Sequence, residues 1–221
     1  LVGLARDQMQ AWIKGLRKHQ VLHEGHIPHY TYRSTFSTAA IIACMYEAAR
    51  AGLKVPSSMF EDAGKALAAA QSDVTKLYGY LADNPTATRT RLGAANRQPL
   101  CDWPRVKSGE LAPLALSRAL DTFLEAYDDS AALARKTNFH VPALDHAAGY
   151  YFFHNFHAAC IAARDAYPHG TKYMKRLLAL LCELPEADGT FIDSGFSYGK
   201  CYSTAMALLC MHLLTTPLPP R

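Results

Sequence analysis

Segments apolar on every side alternate along this chain with segments apolar on one side only, all at helical rather than strand spacing. Residues 35–51 carry small or apolar groups at 39, 42, 43, 46 and 49, with Ile41, Met45 and Ala48 on another side, so this helix is expected to be buried all round. The next helix starts at a capping box of Ser58 and Glu61 and turns Phe60, Ala63, Leu67 and Ala70 inward, with Glu61, Asp62 and Lys65 outward. An inner rod covered by an outer one is a hairpin. The pattern returns at 111–120 with 121–135, again at 144–166 with 171–184, and ends in an inner helix over 202–214. Repeats that bury their faces only against neighbours predict a solenoid or a closed ring of hairpins. The expected architecture is therefore all-α, a single domain over 1–221. A lead helix (5–18, with Trp12, Ile13 and Leu16 on one face) and a His-rich entry segment precede the repeats within residues 1–34, and 84–110 form a loop-rich connection.

Composition removes several function classes. Net charge is +4, with Lys and Arg scattered and no basic run, which argues against nucleic-acid binding. The longest apolar stretch, Ala205 to Leu214, is about half the length a bilayer crossing needs, so no membrane span is expected. Six cysteines (44, 101, 160, 182, 201 and 210) show no CxxC spacing, and five fall in apolar helical patterns. Buried thiols in a reducing compartment such as the cytoplasm are expected rather than a disulfide framework. The first residue is Leu1, not Met, which reads as a processed form or part of a larger chain or oligomer, and localisation is not legible there.

The segment Asp188-Gly189-x-Phe191-x-Asp193 followed by Tyr202-x-Thr204-Ala205-x-Ala207-Leu208-Leu209 reads as turn, loop and inner helix. Gly189 permits a positive φ at the helix exit, Phe191 plugs the gap between hairpins, and Thr204 and Ala205 allow close helix packing. This segment resembles the repeat of squalene cyclases, terpene cyclases and protein prenyltransferase β subunits. Residues 35–71 match more loosely, and 91–103 and 147–160 are similar to uncharacterised bacterial toroid proteins of that superfamily. The resemblance implies an α/α toroid, a partial or complete ring of about four hairpins. The family's Asp-x-Asp-Asp acid motif has no counterpart beyond Asp128-Asp129, and Gly199 stands where a zinc-binding aspartate would precede Cys201.

Candidate sites follow. Asp145, His146, Tyr150, Tyr151, His154 and His157 are clustered, and 154 and 157 share a helical face. Three readings are open: a His-x-x-His pair holding zinc with Asp145 or Cys201 as third ligand, Asp145 and His146 as orienter and general base, or a polar lining without chemistry. Tyr30, Tyr32, Tyr198 and Tyr202 precede or open inner helices and could line a pocket or simply pack. Lys200 and a helix N-terminus would favour a Cys201 thiolate. His19, His23, His26 and His29 with Glu24 read as a solvated linker or a metal cluster, and Cys101-Asp102-Trp103 as a loop anchor. The expected function is a ligand-binding or scaffolding domain whose aromatic and His-lined concavity takes a small apolar ligand or peptide. The alternative is a terpene-cyclase-like or prenyl-transfer enzyme acting on an isoprenoid, and a third is a pure interaction surface.

Overall fold

The computed structural model describes residues 2–29, 32–83, 91–134, 152–192 and 199–217. In chain order these form α1 (Val2–Leu22), a two-strand ribbon of β1 (Pro28–His29) and β2 (Tyr32–Arg33), α2 (Thr35–Arg50), α3 (Ser57–Ala69), α4 (Arg91–Lys107), α5 (Leu114–Glu125), α6 (Tyr127–Ala134), α7 (Phe152–Asp165), α8 (Gly170–Cys182) and α9 (Gly199–Thr215). The ribbon is antiparallel, pairing Pro28 with Arg33. All-α is therefore the class.

Helices α2, α4, α7 and α9 pack one on the next in that order. Outside them, α3 rests on α2 and α4, α5 on α4 and α7, and α8 on α7 and α9. The amphipathic segments thus cover the seams between successive apolar ones. The largest apolar cluster joins α4, α5, α7, α8 and α9 through Trp103, Phe123, Phe156, Leu177 and Cys210, all buried. A second holds Ile13, Ile42, Met45 and Met59 between α1, α2 and α3. Phe36, Leu67, Leu100 and Ala158 bridge the two sides. Buried alanines at 158, 159, 162 and 163 let neighbouring helices come close to α7.

Several expectations need correction. Residues 91–107 are one helix where the sequence reads a loop-rich connection, despite Pro99 and Pro104 inside it. Each proline removes an i→i−4 hydrogen bond, and the helix is held instead by burial of Leu100, Cys101 and Trp103. Cys101-Asp102-Trp103 therefore belongs to a packed helix and not to a loop. The second unit breaks at Ala126 rather than near residue 120, because Leu116, Leu120 and Phe123 form one continuous buried stripe. No capping box forms at Ser58: Pro56 is the N-cap of α3, and no side chain caps it. Ser34 does cap α2, accepting from the Ser37 amide at 3.3 Å.

Of the apolar helices, α2 and α9 are only partly covered. On α2, Cys44 and Glu47 are exposed, and on α9 Leu208 and Leu209 are 59% and 50% exposed. Ala205 is exposed as well, so Ser203 and Ala207 make the close contacts of α9. Three cysteines, 101, 160 and 210, are buried, whereas 44, 182 and 201 are exposed, and all six are free thiols. The Gly189 turn is as expected, with φ of 78°. Phe191 is buried edge-on to Phe153, and its amide donates to Thr204 Oγ1 at 3.1 Å.

Candidate functional site

The uncovered flanks face one another. Ala40, Ala43, Cys44 and Glu47 recur every one to four residues along one side of α2, continued by Ala51 at its C-cap. His154, His157, Ala158 and Ile161 do the same on α7. Between them lies a groove of about 660 Å³, floored by Leu100 and Trp103 of α4 and bounded by Met206 and Leu209 of α9. Helix α1 forms the remaining wall with Met9, Trp12, Ile13 and Leu16. The groove exists because alanines stand where larger side chains would close the gap between α2 and α7. Apolar side chains bound nearly all of it.

Trp103 is a fixed floor. It is buried, Nε1 donates to Asp165 Oδ2 at 2.9 Å, and the Tyr46 ring meets it edge-on at 5.3 Å. Trp12, grouped in the sequence with Ile13 and Leu16, does share their face, but it is 62% exposed because that face borders an open groove. Helix α1 is anchored along one edge only. Arg6 Nη2 donates to Gly52 O at 2.5 Å, Gln10 exchanges two hydrogen bonds with the Lys54 backbone, and Arg17 pairs with Asp62 at 2.7 Å.

The groove brings His154 and His157 together. His154 Nδ1 lies 3.4 Å from the Tyr202 hydroxyl, and its ring packs at 5.1 Å from Phe36. Burial, then the neighbouring His157, lowers the His154 pKa to about 4, and burial lowers His157 as well. Both imidazoles are consequently neutral near pH 7. No third His, Cys, Asp or Glu joins them among the described residues. Of the other candidates, Tyr202 backs His154, while Asp145, His146, Tyr150, Tyr151 and Tyr198 lie outside the described residues.

Cys201 lies apart from the groove, exposed on the first turn of α9. Lys200 does not serve its thiol: Lys200 Nζ is 2.7 Å from Asp188 Oδ2. That ammonium, with the Thr190 hydroxyl, holds the Asp188 carboxyl well below the usual carboxylate range. The His-rich entry is likewise structural at its centre. His26 is buried with Nδ1 at 3.1 Å from Thr38 Oγ1, and burial, then Arg33, lowers its pKa to about 4. Glu24 pairs with Arg33, and His19 is exposed at the end of α1.

A polar cluster the sequence does not announce lies behind α4. Tyr78 donates to Asp102 Oδ1, Gln98 Nε2 reaches Asp102 Oδ2 at 2.9 Å, and Arg105 contacts Tyr78, Gln71 and Glu110. Burial raises the pKa of Asp102 and of Tyr78. The cluster pins residues 71–78 to a proline-interrupted helix. Its only sequence signal is the run of polar residues inside 96–105, which a loop reading absorbs.

Compared with protein-family models, with curated proteins and with solved structures, the chain finds no match. Among the described residues, no helix is long and apolar enough to cross a membrane.

Proposed function

We propose that this chain is a ligand-binding domain of α/α-toroid type, a partial ring of helical hairpins, whose concave face holds a small apolar ligand. The groove of about 660 Å³ carries the reading, since its walls come from the four inner helices and it lies open beside α1. A site of this size with apolar walls and few polar groups has the character of small-molecule pockets generally. The succession of α2, α4, α7 and α9, with α3, α5 and α8 over the seams, supports the toroid kinship that the Asp188–Leu209 segment suggests. No comparable contact joins α9 back to α2 among the described residues, which favours an arc over a closed ring. For the competing enzyme reading, Asp145 and His146 are the groups to substitute first.

The test is thermal. At a free-ligand concentration of one hundred times Kd, a ligand specific for the folded state adds about 2.7 kcal/mol, roughly 5–10 °C in Tm for a domain of this size. Dodecan-1-ol, below its solubility limit, should raise Tm in the wild type. Ala43→Phe, which places a ring in the groove from the partly exposed side of α2, should abolish that rise while leaving the unliganded Tm within a few degrees. An unchanged Tm in the wild type sinks the proposal.

A further inference from the structure

The lining of the groove says what end group a ligand should carry. Among the described residues its one ionised side chain is Glu47, an exposed residue whose two carboxylate oxygens accept from Arg50 Nη1 at 2.9 and 3.0 Å. No lysine or arginine lines it among the described residues. An anionic head drawn into such walls would be desolvated with no cation to meet it, and a cationic head would have to compete with Arg50 for Glu47. What the walls do offer is imidazole. His157 makes no side-chain hydrogen bond among the described residues, and His154 leaves Nε2 beyond its long contact to Tyr202. A neutral imidazole carries one donor and one acceptor, which is the complement of a hydroxyl.

We propose that the groove is selective for neutral long-chain alcohols, with the hydroxyl held by His157 and His154 and the chain lying along Ala43, Trp103 and Ile161 toward Trp12. This rests on the ligand-binding reading and adds its chemical class. Both rings are half-buried, and neither has a nitrogen among the fully buried unpartnered atoms, so a hydroxyl can reach them and exchange hydrogen bonds with solvent for like ones, whereas an ionised head would be desolvated against apolar walls.

The chain has two tryptophans, and both line the groove, so a heavy-atom quencher on the ligand tail reports binding directly. The full chain is titrated at pH 7.5 with 12-bromododecan-1-ol, 12-bromododecanoate and 12-bromododecyl phosphate, each below its micellar concentration. The expected result is quenching by the alcohol with a Kd about tenfold or more below that of either anion. Trp12→Phe and Trp103→Phe should each remove part of the quenching. His157→Leu together with His154→Leu should raise the alcohol's Kd and bring the three values together. Either anion binding the wild type as tightly as the alcohol overturns the head-group assignment and leaves the ligand-binding reading in place. Quenching by none of the three overturns both, and a dimer by sedimentation whose interface covers Trp12 would then account for the apolar face.

Discussion

His26 and His154 are held neutral by burial, each with its pKa lowered to about 4. In the unfolded chain both take up a proton as pH falls through 6.5, whereas the folded chain resists until about 4. Their stabilising effect is complete above pH 6.5 and is lost progressively between 6.5 and 4, up to on the order of 2–3 kcal/mol each. Denaturant unfolding at pH 7, 6, 5 and 4 should show that decline, and His154→Gln should flatten it. A wild-type stability that rises on acidification contradicts the assignment. Two glycines give a second comparison at this scale. Gly25 has φ of 90°, and a Cβ there would run into the Asp62 carbonyl of α3. Gly189 has φ of 78° with nothing near its Cβ position. Alanine at 189 should therefore cost about 1 kcal/mol of backbone strain, and alanine at 25 clearly more, because α3 must also shift. Equal losses in chemical denaturation would mean that the Asp62 contact yields freely. Of the two, only Gly189 is placed by the sequence, after an acidic turn; Gly25 is needed because of the Asp62 carbonyl, 37 residues later.

Among the elements, α1 stands apart. It is tied to the 52–54 turn and to α3 by polar contacts, and among its described side chains Ile13 is the one deeply buried apolar group. Few buried apolar contacts mean a low cost of local opening. Amide hydrogen exchange should show α1 exchanging faster than α7, whose Phe152, Phe153 and Phe156 are fully buried, and occupancy of the groove should slow α1 selectively. Exchange in α1 as slow as in α7 would remove it as a movable wall. Helix α4 is the opposite case. Two prolines and a polar run make it read as loop, yet Trp103, Arg105 and Asp102 are buried and bonded around it. Local propensity is a weak prior where tertiary contacts compensate for missing backbone hydrogen bonds. The amphipathic helices α3 and α8 were legible for the converse reason, since their stripes alone decide which side is wet.

For the whole molecule, the arrangement of helices leaves an open apolar groove beside α1, and the thermal-shift and quenching experiments decide what covers it. That His154 and His157 share a face follows from 3.6-residue periodicity alone. That Ala40, Ala43 and Ala51 face them across a groove does not, because alanines read equally well as close-packing residues and as walls of a void. The amino-acid order determined that the chain is helical, which segments have a wet side, and that a turn falls at Gly189, since each depends on neighbours within a few residues. Only the tertiary structure decided that α2 and α9 are partly uncovered, that Trp12 borders a groove rather than a core, and that Lys200 pairs with Asp188 instead of activating Cys201. Those outcomes depend on distances between segments far apart in the chain, and side-chain periodicity carries no information about what stands opposite a face.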